Sequence, residues 1–526
     1  MSQSSLLVQS ITSSRVPYLG ALVLTLIFIY RFLVYPLFVS PLRHVPGPKI
    51  AALTSLYINS RYYRENGIQL VKSLHDKYGP IVRVGPQEVV VQDPEQLSVI
   101  YGVRSTFPKP PFAALFANYG FPNAFSSTTR EEHKERRRQV SKVYSMAAQL
   151  NNVALMESLR ERLQLIKNLI SDKNEGLIDI YPLATYFALD NVSQMVYGES
   201  FDLLRGKNLV AAEDIKHTTI ASVPFVRFLW LWELLSVWPF SFLLPNFMKS
   251  AMQARDSLEA LNRCQIEKVN DLGINKDADK TAVACMQSQP GYGKTLTPGH
   301  VLSECFDHVA AGADSTAASL IYIFHTLALP ENRIHQDKLR KELAELPLPL
   351  DFKTVCALPY LNILVLESLR LNPPAPGSLQ QRYIPGNETA ALIIEGKSFV
   401  LPGSTLLGIQ AYSLQRSETV FGQKPDEFRP ERWESPDEVA VQNMKNAWIP
   451  FGTGARTCIG MNLALIEIKL MVAEILRDSA VELCKGAKAE DMSPIQAVVI
   501  RPTSERCDLV FKKVLSAGSL VQNCSS

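Results

Sequence analysis

The chain contains the segment Phe451-Gly452-Thr453-Gly454-Ala455-Arg456-Thr457-Cys458-Ile459-Gly460, and its chemistry guides the interpretation of the rest. Two glycines ahead of Cys458 allow a tight turn that a residue with a side chain would resist. The apolar run from Ile459 predicts a helix just after the cysteine, and the free N–H groups at a helix start favour an anion. We therefore expect a thiol that ionises readily.

Such a thiolate is suited to binding a metal. Gly460 leaves space for a flat group against the predicted helix, and Arg456 can reach an acidic substituent on that group. One soft thiolate as axial ligand is an arrangement that proteins use for haem iron. The alternative is a buried, inert cysteine in a glycine-rich loop.

Composition excludes several classes of protein. The 526 residues are 47% hydrophobic and 20% charged, which excludes a disordered or coiled-coil chain. The net charge of +3 is too small to predict nucleic-acid binding. Eight cysteines without a Cys-x-x-Cys pair indicate a reducing compartment and neither a disulfide nor a zinc framework.

The N-terminal region is apolar from Val16 to Val39, interrupted by Arg31. This length reaches the roughly 20 residues that a helix needs to cross a bilayer. A cleaved signal peptide is the alternative, but no small-residue cleavage site follows. Pro46-Gly47-Pro48 then forbids a continuous helix and predicts a stiff elbow. We expect a membrane anchor and elbow over residues 1–45 and one catalytic domain over residues 46–526.

Basic residues beside the apolar segment predict which side of the membrane the following chain occupies. Arg43, His44 and Lys49 follow the apolar segment, whereas Arg15 alone precedes it, so the positive-inside rule predicts a cytosolic domain. Three glycosylation sequons, at Asn191, Asn387 and Asn523, should then stay unmodified.

The body is predicted to be mainly α-helical with a minor β region, an α+β fold. Strand-like runs cover Ile81 to Val84 and Val89 to Gln92. Thr297 followed by Pro298 predicts the start of a long helix that Pro330 ends. Shorter helices are expected near Tyr360 to Leu371 and Ile459 to Leu476.

The cysteine segment matches the pattern F-x-x-G-x-R-x-C-x-G, and the chain resembles the cytochrome P-450 family of haem-thiolate monooxygenases. The resemblance extends from the anchor to the end of the chain and implies the family fold, with a long central helix over the haem. It implies haem b (iron protoporphyrin IX) as cofactor, with Cys458 as iron ligand and Phe451 and Arg456 in contact with the haem.

The same resemblance identifies a structural triad. Glu367-Ser368-Leu369-Arg370 is similar to the family's E-x-x-R, although such a pair on an exposed helix face is commonplace. The segment from Phe428 to Trp433 is similar to F-x-P-E-R-W and supplies Arg432. The resemblance implies that Glu367, Arg370 and Arg432 form a buried triad that braces the cysteine loop.

Cations are expected at the haem propionates. His133 and Arg137 match the family's W-x-x-x-R with histidine in place of tryptophan, and Arg382 resembles another propionate arginine. The neighbouring Lys134, Arg136 and Arg138 are predicted to face outward, where they could receive an acidic redox partner or simply be solvated.

Ala311-Gly312-Ala313-Asp314-Ser315-Thr316 is similar to the family's oxygen-activating segment, with Ser315 in place of the usual threonine. An acid and an alcohol in succession can relay protons to bound oxygen, so Asp314 and Ser315 are the expected catalytic residues. The small Gly312 should leave room for oxygen beside the helix. Without the cysteine loop, the pair would be interpreted as a polar pair inside a helix or a local kink.

Aromatic residues are concentrated between Val223 and Met248, a segment similar in position to the family's lid over the haem. Its tryptophans suit a membrane interface and predict an apolar substrate. Simple core packing and a second membrane span are the alternatives, the latter opposed by Arg227, Glu233 and three prolines.

The resemblance implies a monooxygenase that inserts one atom of O₂ into an apolar small molecule, similar to fungal members that tailor terpenoids, polyketides or alkaloids. Electrons would come from a separate NADPH-dependent cytochrome reductase, with a cytochrome b-type donor as a further source. The expected location is the endoplasmic reticulum membrane, as a single-pass protein that binds no nucleic acid. A haem-thiolate isomerase or dehydratase that acts without O₂, and a non-catalytic haem sensor, are the alternatives.

Overall fold

The computed structural model describes residues 18–64, 66–172, 176–227, 234, 242, 244–271, 280–377, 380–496 and 498–514, with the side chains of 222–227 excepted. Helices account for 61% of the chain, so the mainly α-helical prediction is confirmed. The helices of the body are α1 Lys49–Leu53, α2 Leu56–Tyr63, α3 Gly67–Tyr78, α4 Gln96–Tyr101, α5 Arg130–Val140, α6 Met146–Leu150, α7 Val153–Asp172, α8 Ile180–Tyr197, α9 Leu209–Arg227, α10 Asn246–Asp271, α11 Ala282–Gln287, α12 Pro298–Ala328, α13 Arg333–Ala344, α14 Phe352–Ala357, α15 Pro359–Leu371, α16 Ala411–Leu414, α17 Glu418–Phe421, α18 Glu438–Ala447 and α19 Met461–Asp478.

The strands are short and form small sheets. They are β1 Ile81–Gly85, β2 Glu88–Val91, β3 Leu177–Asp179, β4 Arg382–Tyr383, β5 Thr389–Ile394, β6 Lys397–Pro402, β7 Leu406–Ile409, β8 Ser479–Leu483, β9 Pro494–Gln496, β10 Ile500–Pro502 and β11 Asp508–Lys513. One sheet has the order β1-β2-β7-β4, and β2 runs parallel to β7 while the other neighbours are antiparallel. A second has the order β3-β11-β8, and β5-β6 and β9-β10 are hairpin pairs.

The long helix α12 crosses the body as the sequence predicts. Thr297 is its N-cap, with Pro298 in the first turn, and the Thr297 N–H donates to His300 Nδ1 at 3.2 Å. The helix ends at Ala328, two residues before Pro330. Most of its second half is buried against α8 and α19 in the largest hydrophobic cluster, because apolar residues cover nearly its whole circumference. This burial fixes one wall of the site described below.

The shorter predicted elements also form. Helix α15 begins at Pro359 and ends at Leu371, ahead of Pro373-Pro374. Helix α19 starts at Met461, so Cys458 lies in the loop before the helix and not in its first turn. Strands β1 and β2 pair with Ile81 opposite Val91, within one residue of the predicted runs.

Among the described residues, one apolar helix, Tyr18–Val39, is long enough to cross a membrane, and it precedes the body. Its last ten residues, Tyr30–Val39, are wound as a π-helix that contains Pro36. After a short 3₁₀ turn at Pro41–His44, the chain passes through the predicted elbow into α1. Arg83 fastens both the end of the apolar helix and the elbow to the body, since its Nη1 donates to the Pro36 carbonyl at 3.0 Å and its N–H donates to the Pro46 carbonyl at 2.7 Å.

The predicted lid falls mostly outside the described residues, which omit 228–233, 235–241 and 243. Its flanks are described: α9 leads into the segment and α10 leaves it.

Candidate active site

The cysteine loop is held in a tight turn. Gly452 and Gly454 have φ values of +70° and +71°, as two glycines at these positions allow. A Cβ on Gly454 would lie 1.9 Å from the Tyr101 carbonyl oxygen, so the loop approaches α4 too closely for any larger residue. The Cys458 N–H donates to the Phe451 carbonyl at 2.8 Å and closes the turn.

The Cys458 thiol is harder to ionise than the sequence indicated. Burial raises the pKa of Cys458, while the backbone N–H groups of Gly460 and Met461 and the charge of Arg137 oppose the shift. Desolvation outweighs the N–H groups near the helix start in the protein alone, and the thiolate expected with a bound metal stays a prediction. Coordination to a metal supplies the remaining stabilisation of a thiolate.

Cys458 opens onto a cavity of about 550 Å³ in the centre of the body. Helix α12 forms one wall, and α5, the cysteine loop, β4 and the facing ends of α9 and α10 form others. The structure brings Cys458, Phe451, Arg456, His133, Arg137, Arg382, Asp314 and Ser315 onto this one surface. These residues are spread from position 133 to position 458 of the sequence, so the fold brings distant segments together.

Cationic side chains converge on the cavity without acidic partners. In the part of the chain that the structure describes, no carboxylate forms an ion pair with Lys109, Arg137, Arg382 or Arg456. Their hydrogen bonds go to backbone oxygens instead: Arg137 Nη1 donates to the Thr457 carbonyl at 2.6 Å, and Arg382 Nη1 to the Gln381 carbonyl at 3.1 Å. Among the described residues, the guanidinium groups of Arg137, Arg382 and Arg456 therefore face the cavity without an acidic hydrogen-bond partner.

Arg456 fastens the cysteine loop to the start of α5. Its guanidinium donates to the carbonyls of Ser127, Thr128 and Thr129 at 2.7, 3.0 and 2.8 Å. Burial, with Arg382 nearby, lowers the pKa of Arg456 to about 10, so the group stays charged at neutral pH.

Lys109 is a member of this group that the sequence analysis missed. Its Nζ donates to the Phe125 carbonyl at 2.6 Å and lies 3.5 Å from the centre of the Phe125 ring. Burial first, then the neighbouring Arg456 and Arg382, lower the pKa of Lys109 well below its usual value. No spacing pattern marks a lone lysine in an irregular segment, so the sequence offered no signal.

His133 is a neutral member of the group. It is buried, and burial together with the nearby arginines lowers its pKa to about 3. An uncharged imidazole can donate one N–H, as the usual tryptophan would.

The basic residues next to His133 differ in exposure. Lys134 and Arg138 are exposed, as predicted, but Arg136 is half-buried. The prediction that Arg136 faces outward is therefore corrected.

Asp314 and Ser315 lie where α12 faces the cavity. Asp314 Oδ2 accepts a hydrogen bond of 2.8 Å from the Thr219 hydroxyl of α9. Burial raises the pKa of Asp314 to about 6, although that hydrogen bond opposes the shift. Ser315 Oγ donates to the Ala311 carbonyl of its own helix at 2.7 Å.

Asp314 also borders a second, smaller cavity of about 110 Å³. Its walls come from α8, α9 and the segment around β10, and they include Thr185, Lys216, Thr219 and Arg501. The Asp314 carboxyl therefore lies between the cavity that holds Cys458 and a polar pocket on the other side.

Gly312 allows two helices to pack closely. A Cβ at this position would lie 2.7 Å from Val192 Cγ2, so the glycine lets α12 approach α8 closely. The expectation that Gly312 leaves room for oxygen is therefore not supported on that side of the helix. The residue still borders the cavity with its backbone.

Glu467 is a buried acid behind α12 that the sequence analysis also missed. Burial raises the pKa of Glu467 well above the usual value, while the charge of Arg162 and the nearby Thr316 hydroxyl oppose the shift. Its Oε1 has no hydrogen-bond partner among the described residues.

The structure assembles the predicted charge triad. Arg370 Nε and Nη2 donate to the two oxygens of Glu367, each at 2.8 Å, and Arg432 Nε donates to Oε1 at 2.9 Å. Trp433 Nε1 and the Arg429 N–H complete the shell at 3.0 and 2.8 Å. The charges lower the pKa of Glu367 despite its burial, so the carboxylate stays ionised.

Gln415 connects the triad to the cysteine loop. Arg370 Nη1 donates to the Gln415 carbonyl at 2.7 Å, and Gln415 Oε1 accepts from the Ile449 N–H at 2.7 Å. Ile449 lies two residues before the loop. Hydrogen bonds through Gln415 therefore connect the triad to the cysteine loop, and the sequence analysis had not identified this residue.

The family model for cytochrome P450 matches residues 46–507. The chain belongs to the cytochrome P450 family. It is 30% identical over 485 residues to "Cytochrome P450 monooxygenase orf2" of Aspergillus niger, covering 90% of this chain and 94% of that protein. It is 26% identical to pisatin demethylase of Fusarium vanettenii, covering 86% of each chain, and 28% identical to tryprostatin B 6-hydroxylase of Aspergillus fumigatus, covering 91% and 81%.

This P450 is accordingly a monooxygenase, an oxidoreductase that incorporates molecular oxygen, and haem b is its cofactor. The described residues fit that cofactor. The cavity of about 550 Å³ presents one thiol and a group of cations without acidic partners, which suits a metal centre attached to two carboxylates. The comparisons support this reaction and not an isomerase or a haem sensor.

Proposed function

We propose that Cys458 binds the haem iron of this P450 as a thiolate, and that Arg137, Arg382, Arg456 and the His133 N–H bind the propionates. The observation that carries the proposal is the shared cavity, onto which the thiol and the unpaired cations open. Phe451 packs beside the thiolate loop, where its ring lies 5.8 Å from that of Trp448. The triad of Glu367, Arg370 and Arg432 has a structural role, because it contacts the loop through Gln415 and does not line the cavity.

Bound haem supplies electron transfer to O₂ and cleavage of the O–O bond, and the chain supplies protons. We assign this delivery to Asp314 and Ser315. The Ser315 hydroxyl gives up its hydrogen bond to the Ala311 carbonyl to turn toward the cavity, and Asp314 exchanges protons with water in the polar pocket behind it. A carboxyl with a pKa of about 6 is suited to this work, because it is neither fully protonated nor fully ionised near neutral pH.

The cavity lining and the exposed basic residues support the proposed substrate class and partners. Apolar side chains such as Phe116, Phe306, Met248 and Val499 line the cavity, which supports an apolar small molecule. We propose a separate NADPH-dependent reductase, or a cytochrome b-type donor, as the electron source, received near the exposed Lys134 and Arg138. The helix Tyr18–Val39 can anchor the protein in a membrane.

We also propose which membrane holds the protein, on which side its body lies and where its catalytic domain begins. The endoplasmic reticulum membrane, with a cytosolic body, is supported by the basic residues that follow the apolar helix. The division into an anchor of residues 1–45 and a catalytic domain of residues 46–526 is supported by the elbow and by a family match that begins at residue 46.

The proposal is tested by reconstituting the holoenzyme with an NADPH-dependent reductase in phospholipid vesicles. An apolar metabolite extract is added under ¹⁸O₂, and products are analysed by mass spectrometry. We expect products that carry one ¹⁸O atom and depend on NADPH, and none with Cys458→Ala. Products that form without NADPH and without the label would contradict the proposal and favour the isomerase.

A further inference from the structure

Tyr144 and His308 form a hydrogen-bonded pair on the wall of the large cavity, and the proposed reaction uses neither residue. The Tyr144 hydroxyl lies 2.8 Å from His308 Nδ1, and the two rings meet edge to face with their centres 5.2 Å apart. The residues are only 5% and 6% exposed. Because Tyr144 lies between α5 and α6 and His308 lies on α12, the pair joins two walls of the cavity.

Glu304 lies behind His308, four residues earlier on α12. His308 Nε2 is 3.2 Å from Glu304 Oε1 and has no hydrogen-bond partner among the described residues, so this contact is electrostatic. The two oxygens of Glu304 accept from the Ala124 N–H at 3.2 and 3.0 Å, which holds the carboxylate in place. We assign the imidazole hydrogen to Nε2, because the carboxylate attracts it there, and Nδ1 then accepts the phenolic hydrogen.

The segment that carries Tyr144 is attached to the helix that follows the cysteine loop. Asn462 Nδ2 of α19 donates to the Tyr144 carbonyl at 2.9 Å, and Asn462 is four residues after Cys458. Burial raises the pKa of Tyr144 well above its usual value, and the charge of Cys458 adds to the shift. The phenol therefore keeps its proton in the resting protein, on the same cavity wall as the proposed iron ligand.

A buried phenol with a base on its oxygen is suited to giving up an electron. Loss of an electron makes the phenolic proton strongly acidic, and burial makes an uncompensated cation costly. His308 Nδ1 can take this proton along the existing hydrogen bond, and the Glu304 carboxylate compensates the charge of the imidazolium. The electron can therefore leave without creating an isolated buried charge.

We infer that Tyr144 is a redox-active residue that protects the haem when oxygen is activated and no substrate is bound. The phenolic O–H bond breaks, one electron passes to the oxidised haem, and the proton passes to His308 Nδ1, which leaves a neutral tyrosyl radical. The oxidant is O₂ or hydrogen peroxide, acting through the haem. An electron from the NADPH-dependent reductase then reduces the radical, and His308 returns the proton. Two such cycles, with two protons from solvent, remove both oxidising equivalents as one molecule of water.

Tyr101 provides a matched control, because it is the other tyrosine on the described part of the cavity wall. Its hydroxyl accepts from the Ile409 N–H at 2.7 Å, and among the described residues it has no hydrogen bond to a histidine. The Arg382 guanidinium lies 4.8 Å from the centre of its ring, and this positive charge opposes the loss of an electron. We expect Tyr101 to stay reduced where Tyr144 is oxidised.

This inference rests on the proposed function, because it requires haem bound at Cys458. The test therefore begins with ferric holoenzyme whose reduced carbon monoxide spectrum already shows a thiolate ligand. Substrate-free protein is mixed rapidly with peracetic acid, frozen and examined by electron paramagnetic resonance, with ring-deuterated tyrosine to identify a tyrosyl radical. The loss of haem absorbance during longer exposure to hydrogen peroxide is recorded in parallel.

We expect a tyrosyl radical in the wild-type protein and in Tyr101→Phe. Tyr144→Phe should lose the radical, and its haem should bleach severalfold faster. His308→Gln keeps a hydrogen-bond acceptor but no base, so it should lower the radical yield and accelerate bleaching although Tyr144 is present.

Several results would overturn the inference while leaving the proposed function intact. One is a radical that is absent from the wild-type protein or persists in Tyr144→Phe, which would make the pair a structural hydrogen bond only. Another is an unchanged radical yield in His308→Gln, and this variant decides if Tyr144→Phe fails to retain haem. An unchanged bleaching rate in Tyr144→Phe would contradict the protective role. Absence of the thiolate spectrum at the start would instead contradict the proposed function.

Discussion

Glu367 and Arg370 form a doubly hydrogen-bonded ion pair, with both contacts at 2.8 Å and neither side chain accessible to solvent. The pair lies on α15, away from the cavity, and reaches the cysteine loop through Gln415. An ion pair in this setting contributes little when intact but leaves a costly buried charge when one partner is removed.

We therefore predict that Glu367→Gln lowers the free energy of unfolding by about 3 to 5 kcal/mol, because Arg370 and Arg432 lose their counter-ion. The change is measured by urea denaturation together with the fraction of protein that retains haem. Glu427→Gln is the control, because Glu427 pairs with Lys424 on the surface. This substitution should lower the free energy of unfolding by less than about 1 kcal/mol. Equal effects of the two substitutions would contradict the structural role of the triad.

The contribution of Asp314 to the free energy of unfolding should fall as the pH rises. Its pKa is raised from 3.8 to about 6 in the folded protein, so folding favours the protonated form. The stability that the protonated carboxyl contributes to the folded protein is fully present below pH 3.8. It is lost as the pH rises through about 6. Relative to Asp314→Asn, the wild-type protein should lose up to about 3 kcal/mol between pH 4 and pH 8.

The denaturation midpoints of wild-type protein and Asp314→Asn are measured across this pH range and compared. Asp351→Asn provides a control of opposite sign, because hydrogen bonds from Thr354 lower the pKa of the exposed Asp351. There the wild-type protein should gain relative stability as the pH rises. A constant difference between wild-type protein and Asp314→Asn would show that Asp314 is not a buried, protonatable acid.

Much of the architecture could be predicted because single residues carry strong local signals. The two ends of α12 could be predicted from Thr297-Pro298 and Pro330. The tight turn before Cys458 could be predicted from its two glycines. Both features depend on local backbone chemistry. The triad could be named because its spacing matches a family pattern.

The remaining features depend on distant contacts. Gly312 packs against Val192 of another helix, and no local pattern distinguishes that from a glycine beside open space. Lys109 and Gln415 lie in irregular segments without periodicity. The raised pKa of Cys458 arises from burial, which is a property of the whole fold.

Replacing Ser315 by threonine should improve the coupling of oxygen consumption to product. The Ser315 hydroxyl is free to settle on the Ala311 carbonyl, at 2.7 Å, whereas a β-branched side chain has fewer rotamers. We expect Ser315→Thr to lower the ratio of released hydrogen peroxide to product severalfold. The ratio is measured with a peroxide assay during NADPH turnover. An unchanged or higher ratio would count against Ser315 as a proton-relay residue.

Glycosylation tests the side of the membrane on which the body lies. Asn387 is exposed, whereas Asn191 is buried and accepts from Arg162 Nη1 at 2.7 Å, so only the first of these two sequons is accessible. With a cytosolic body, deglycosylation of protein expressed in a eukaryotic host should cause no gel shift. Ser2→Asn creates a sequon before the apolar helix and should produce a shift. A shift that disappears with Asn387→Gln would place the body in the lumen.

The central claim, a thiolate bond from Cys458 to haem iron, is tested most directly by the carbon monoxide difference spectrum of the purified, reduced protein. We predict the red-shifted absorption band that a thiolate opposite carbon monoxide produces, and its loss in Cys458→Ala. A folded protein without this band, or the same band in Cys458→Ala, would contradict the account.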